Sequence, residues 1–166
     1  LLDGFPLSGR NVLDIGCGAG GVDTLLAGTY GAAYVTGIDV EDTVLAHARE
    51  RAVKGGLAAQ IGLVKVVPGP LPFPPGTVDF VFSKDSIVHI PDKHALMPDV
   101  FRVLKPGGWF VDRNAQPQCL VPGPGPGGTG PDEGPSLCGS RRQAGAGFRR
   151  PQYRDLGEYA ASAGIG

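Results

Sequence analysis

Two groups of residues in this sequence have the types and spacing that chemistry needs. The first is the run Val12-Leu13-Asp14-Ile15-Gly16-Cys17-Gly18-Ala19-Gly20-Gly21, where an apolar segment ends in an acid and then in glycines; Asp39 and Val40 close the next apolar segment. A strand-to-helix turn this rich in glycine lets backbone N–H groups approach a ligand closely, and an acid ending the following strand can accept hydrogen bonds from two ribose hydroxyls. The pattern describes a site for a nucleoside-containing cofactor, framed by Asp14, Gly16, Cys17, Gly18 and Gly20, with Asp39 and Val40 opposite. The second group is Ser83-Lys84-Asp85-Ser86-Ile87-Val88-His89-Ile90. If a helix begins after Asp85, then Asp85 and His89 are four apart and project from one face. A carboxylate can bind a cationic amine, and an imidazole can orient it or accept its proton. The plainer alternative is that Asp85 caps a helix and His89 fills a polar gap on its first turn. His47 and His94 read as surface residues.

Gly16, Gly18 and Gly21 also satisfy G-x-G-x-x-G, and Asp39 lies 18 residues beyond Gly21, near where the acid of a dinucleotide site falls. Asp14 argues against that reading. A pyrophosphate at this turn would meet a carboxylate at short range in a partly desolvated site. S-adenosylmethionine has no phosphate, and its sulfonium and α-ammonium groups tolerate an acid there. The run from Leu13 to Gly20 resembles the first motif of class I S-adenosylmethionine-dependent methyltransferases. Residues 83–90, with Leu104-Lys105-Pro106-Gly107-Gly108 downstream, are similar more narrowly to the phosphoethanolamine N-methyltransferases and their bacterial relatives. That resemblance covers residues 10–112 and implies that Asp85 and His89 line a phosphobase site. It implies methyl transfer from S-adenosylmethionine to the nitrogen of a small amine such as a phosphobase. The alternatives are a C-methyltransferase of the menaquinone or ubiquinone type and a truncated, catalytically silent cofactor-binding remnant. The sequence departs from the family in three respects. An N-terminal segment carrying an active-site tyrosine is not evident, nor are a sixth and seventh strand. The loop that usually brings an acid to the adenine reads Val67-Pro68-Gly69-Pro70-Leu71-Pro72, so adenine must rely on backbone groups and apolar contacts.

The elements that must position these residues can be read from periodicity and turn signals. Strands are expected over 11–15, 33–40, 61–67, 78–83 and 109–112. Helices are expected within 20–31, from Asp42 or Thr43 to Gly55-Gly56, and around Leu96, Val100 and Leu104, ending at the Lys-Pro-Gly-Gly run. Pro98 demands either a kink or a late start that leaves it in the first turn. Between the third and fourth strands a proline-rich loop replaces a helix. Alternating strands and helices imply an α/β, doubly wound Rossmann-like parallel sheet in the order 3-2-1-4-5. The fifth strand would then be an open edge, prone to self-association.

The 166 residues carry a formal charge of −1, with 42% hydrophobic and 19% charged residues, which gives no reason to expect a polyanionic partner. Residues 117–151 hold nine glycines and seven prolines, so low complexity is the default there. The expected division is a methyltransferase core over 1–112, a disordered Gly/Pro-rich segment over 113–150 and a short helix over 151–166. The segment after the core reads equally as an ordinary tail or as GC-rich coding sequence in a shifted frame. Cys17, Cys119 and Cys138 are odd in number and lack C-x-x-C spacing, which suggests reduced thiols in the cytoplasm. No apolar stretch reaches the ~20 residues of a membrane span. A small-molecule substrate is expected, without nucleic acid, membrane or metal.

Overall fold

The computed structural model describes residue 2, residues 4–113, and the segments Cys119–Pro122 and Leu137–Cys138. The apolar runs become strands β1 (Asn11–Ile15), β2 (Tyr34–Asp39), β3 (Ile61–Lys65), β4 (Val78–Lys84) and β5 (Leu104–Arg113), mutually parallel in the order 3-2-1-4-5. Between them lie α1 (Gly21–Gly28), α2 (Asp42–Lys54) and α3 (Lys93–Val103). Successive side chains on a strand face opposite ways. Thus β1 sends Leu13 and Ile15 to one face, where they pack with Val81, Phe110 and the α3 residues Val100 and Val103. It sends Val12 to the other, among Val35, Phe80, Phe82 and Leu26 of α1. Central strands buried on both faces need such continuous apolar runs. The order of connection reverses between β1 and β4, and this is where a parallel sheet opens a crevice beyond its carboxyl ends.

The sheet does not end at β5. Two short strands, β6 (Cys119–Pro122) and β7 (Leu137–Cys138), add antiparallel to it, giving seven strands in the order 3-2-1-4-5-6-7. The expectations that a sixth and seventh strand are missing and that β5 is an open edge are corrected on this point. An edge strand presents unpaired N–H and C=O groups, and the short apolar run at Cys119-Leu120-Val121, hidden by the composition of its surroundings, pairs with them from Trp109 to Asp112. The rest of 113–150 and the helix expected over 151–166 lie outside the described residues.

Three boundaries also differ from expectation. α3 starts at Lys93, where the Asp92 carboxylate caps it by accepting a 2.9 Å bond from the Ala95 N–H; this strong cap leaves Pro98 in the second turn rather than the first. α3 then stops at Val103, and the Lys-Pro-Gly-Gly run belongs to β5 as a bulge: Val78 pairs with Leu104 but Phe80 pairs with Trp109. A Cβ on Gly108 would lie 2.9 Å from the Lys105 carbonyl and 3.0 Å from that of Asp79, so the bulge closes only around glycine. β3 ends before its apolar run does: Val66 makes the last bond to β2, donating its N–H to the Asp39 carbonyl at 2.9 Å, and Pro68 beyond it has none to give.

The proline-rich connection between β3 and β4 has no helical ladder and is tied down instead by α3. Arg102 donates to the Phe73 carbonyl at 2.6 Å, to the Leu71 carbonyl at 2.9 Å and to the Asp99 carboxylate, which also receives the Leu71 N–H. Three separate guanidinium nitrogens each serve one of these acceptors, a spread that the single nitrogen of an ammonium does not match. Arg102→Ala is therefore expected to cost about 1–3 kcal/mol, with Arg102→Lys recovering little. Urea denaturation checks the loss, and limited proteolysis is expected to cut first within 66–77.

Candidate functional site

A cavity of about 1090 Å³ opens at the carboxyl ends of the central strands. Ile15 and Gly16 come to it from β1 and its turn, Ile38, Asp39 and Val40 from the end of β2, and Asp85, Ser86 and His89 from the segment after β4. The 66–71 loop and the first turns of α3 complete its walls. Among the residues singled out from the sequence, Gly16, Asp39, Val40, Asp85 and His89 line this space, whereas Asp14, Cys17, Gly18 and Gly20 are not part of its lining.

The glycine turn is shaped by left-handed backbone at Gly16 (φ +74°), Gly18 (φ +53°) and Gly20 (φ +72°), conformations that disfavour a side chain. The Gly16 and Cys17 N–H groups both donate to the Ile38 carbonyl, at 2.8 and 3.0 Å. Asp39 completes the tie: one carboxylate oxygen accepts from the Gly18 N–H at 2.9 Å and the other from the Glu41 N–H at 3.1 Å. A Cβ on Gly18 would meet nothing within 4 Å, so only its left-handed backbone asks for glycine there.

Asp14 points the other way. It shares the α1 face of β1 with Val12, and burial leaves it 2% exposed, against Asp23 of α1, which is fully buried. Among the described residues no hydrogen-bond partner reaches either Asp23 oxygen or Asp14 Oδ1, and burying two carboxyl groups side by side favours their protonated forms. Burial, followed by the Asp23 charge, pushes the Asp14 carboxyl well up; burial also raises Asp23 to about 6. Room for the pair exists because residue 37 is glycine, where a Cβ would fall 2.7 Å from Asp23 Oδ2 and 2.9 Å from Cys17 Sγ. Cys17 is itself buried, and desolvation together with these carboxylates raises its thiol far above the usual range. It is therefore held as an inert thiol in the loop. Periodicity could have assigned Asp14 to the α1 face. Asp23, missed from the sequence, is marked only by its place in the first turn of α1.

A carboxyl group whose folded pKa lies above its unfolded one stabilises the protein fully below the unfolded value, and that contribution is lost as pH rises through the folded value. For Asp23 the window runs from 3.8 to about 6. Asp23→Asn, whose side chain does not titrate, is thus expected to gain in melting temperature relative to the unmodified chain as pH rises across this window. Scanning calorimetry at pH 4, 5, 6 and 7 checks the trend; a constant difference would refute it.

Asp85 and His89 reach the cavity without the helix expected between them. Only a 3-10 turn, Ile87–His89, forms, and Asp85 takes a left-handed conformation at φ +56°, rare for a residue with a side chain. Its N–H donates to the Arg113 carbonyl at 2.9 Å, one further rung of the pairing with β5. The Lys84 ammonium lies 2.6 Å from Asp85 Oδ2, with both side chains about half exposed, so this pair is worth ~0–1 kcal/mol and can yield to a ligand. Asp112, at the end of β5, has its carboxyl raised by burial and then by the nearby Asp85 charge. Ser86, also missed as a site residue, sets its Oγ 2.9 Å from the Gly16 carbonyl. Among the described residues there is no cluster of His, Cys, Asp and Glu fit to hold a metal ion, and no helix long and apolar enough to cross a membrane.

Residues 13–112 match the methyltransferase domain family. The chain is 39% identical over 108 residues to a phosphoethanolamine N-methyltransferase of Triticum aestivum, a match covering 65% of this chain and 20% of that protein. It is 37% identical over 102 residues to a sterol 24-C-methyltransferase of Gibberella zeae, covering 61% and 26%. Among solved structures it resembles Haemonchus contortus phosphoethanolamine N-methyltransferase 2 in complex with S-adenosyl-L-methionine, with a TM-score of 0.61 and 36% identity over 66% of this chain and 25% of that one. The chain thus spans about a fifth to a quarter of the length of these relatives. With the parallel sheet, the glycine turn and the residues after β4 all inside the matched segment, the chain belongs to the methyltransferase domain family.

Proposed function

We propose that this chain binds S-adenosylmethionine and takes part in transferring its methyl group to the nitrogen of a small amine. The observation that carries the reading is that Asp39, Asp85 and His89 share one cavity. The residues present fit the cofactor. Asp39, Asp85 and Asp92 line the space, while Asp99 and Arg102 on the same wall pair with one another. Such a lining receives a sulfonium and an ammonium and repels a pyrophosphate. Asp39 would accept from the ribose hydroxyls, Gly16 at the head of the glycine turn would meet the methionine portion, and Val40, Val66, Val67 and Pro68 offer adenine an apolar slot without an acid. Asp14 would act from beneath, through the loop.

When bound, S-adenosylmethionine supplies a methyl group on a sulfonium, open to in-line displacement by a lone pair. An amine must lose its proton before it has that lone pair to offer. Asp85 would hold the ammonium form, exchanging its exposed Lys84 partner for it, and His89, one 3-10 turn away, would take the proton. Holding the nitrogen in line contributes much of the rate.

A second reading is favoured by the apolar wall of Ile90, Pro91, Ala95, Leu96 and Pro98. It fits an acceptor with an apolar body, methylated on carbon in the manner of quinone C-methyltransferases.

Calorimetric titration with S-adenosylhomocysteine tests the cofactor site first. Asp39→Ala is expected to weaken binding at least ~10-fold, because it removes a charged acceptor and unties Gly18; unchanged affinity would refute the assignment. In an amine screen, Asp85→Asn and His89→Ala are each expected to lower kcat/KM by about 10²–10⁴ with cofactor affinity retained. Cofactor binding without turnover on any amine would favour the silent remnant, and turnover confined to apolar acceptors the second reading.

A further inference from the structure

We propose that Ser86 is a positioning residue that couples the glycine loop to the turn bearing Asp85 and His89, so that the two halves of the cavity move as one body. The inference rests on reading that cavity as a cofactor and acceptor site. Its physical basis is a hydrogen bond across 70 residues of sequence. Ser86 Oγ lies 2.9 Å from the Gly16 carbonyl and 3.0 Å from the Lys84 carbonyl. A hydroxyl carries one proton, so it donates to one of these at a time while staying within reach of both.

The packing shows the same link from the other side. A Cβ on Gly16 would fall 2.2 Å from Ser86 Oγ and 2.3 Å from Ser86 Cβ. The space that a side chain at position 16 would fill is therefore taken by Ser86. Gly16 is required twice over, by its left-handed backbone and by this contact.

Ser86 also stands between the two acceptor residues. Asp85 directly before it holds a sparsely populated conformation, which persists only where surrounding contacts impose it. The exposed Lys84 ion pair supplies little of that constraint. On the other side, the Ser86 carbonyl accepts the His89 N–H at 3.0 Å and so starts the 3-10 turn that carries the imidazole. Through this one residue, displacement of the Gly16 carbonyl by a ligand on the glycine loop is transmitted to the acceptor turn.

Amide hydrogen exchange by NMR on the whole, ligand-free chain tests the coupling. Ser86→Ala is expected to speed exchange at the Gly16 and Gly18 amides together with that of His89, by about tenfold, the order for one lost hydrogen bond. Ser86→Thr, which keeps the hydroxyl, is expected to restore both. Acceleration confined to the acceptor turn, or no recovery with threonine, would overturn the proposal. Should Ser86→Ala fail to fold, the melting points of Gly16→Ala, Ser86→Gly and their combination decide instead: the double variant should be less destabilised than the sum of the two, and additive effects would overturn the contact. With S-adenosylhomocysteine added, protection should reach both Gly18 and His89 in the unmodified chain but Gly18 alone in Ser86→Ala. Absence of binding to the unmodified chain would count against the cofactor reading only, since the ligand-free comparison decides the role of Ser86.

Discussion

The carboxylate of Asp39 is the point on which the site hangs. Its two oxygens take the Gly18 N–H and the Glu41 N–H, so one side chain joins the turn after β1 to the turn after β2. Its own carbonyl meanwhile receives the Val66 N–H and holds the start of the loop after β3. Three successive strand ends are thereby fixed to one residue. Each bond is local, but the residues concerned come together only because β1, β2 and β3 are neighbours in a parallel sheet. The glycine turn, the apolar slot and the acid that would meet a ribose all inherit their relative positions from that residue.

Under this tie lies an electrostatic arrangement that limits what can bind above it. Asp14 and Asp23 are buried against one another at the root of α1, where a helix N-terminus would ordinarily welcome an anion. A second pair of acids, Asp39 and Asp85, stands on the cavity wall, the latter beside the Lys84 ammonium. A carboxyl pair without other donors is costly unless it keeps a proton. The glycine at position 37 is what allows the two groups to sit together at all.

Much of this was legible in the residues themselves. Largely apolar runs at Val12 to Ile15 and Val78 to Phe82, each broken by one aspartate, announce strands covered on both faces, and their alternation with helical patterns leads to the observed parallel order. The glycine turn, Asp39 and the Asp85–His89 run were legible as residue types with a chemical purpose. What local patterns could not convey was direction and long-range contact. Asp14 reads as a ligand until its face of β1 is known. The approach of Ser86 to Gly16 has no local trace, because the two are 70 residues apart. The Lys-Pro-Gly-Gly run looks like a helix stop, yet the register of β4 with β5 turns it into a bulge within the strand. Low average complexity hid a three-residue apolar run able to pair with a sheet edge.

The same reasoning bears on the acceptor. Methyl transfer asks for an in-line approach to a single carbon, so the residues that matter most are those that fix an angle rather than those that add binding area. Here the acceptor turn leaves β4 through a left-handed aspartate, a short 3-10 turn and an exposed ion pair, none of which is stiff alone. Its rigidity is borrowed from what surrounds it: Ile87 packs into the core of the sheet, Lys93 holds the Val88 and Ile90 carbonyls, and Ser86 bonds to the glycine loop. An arrangement of this kind makes acceptor geometry depend on the state of the cofactor loop. Binding order and acceptor selection would then follow from one connected framework rather than from two separate subsites.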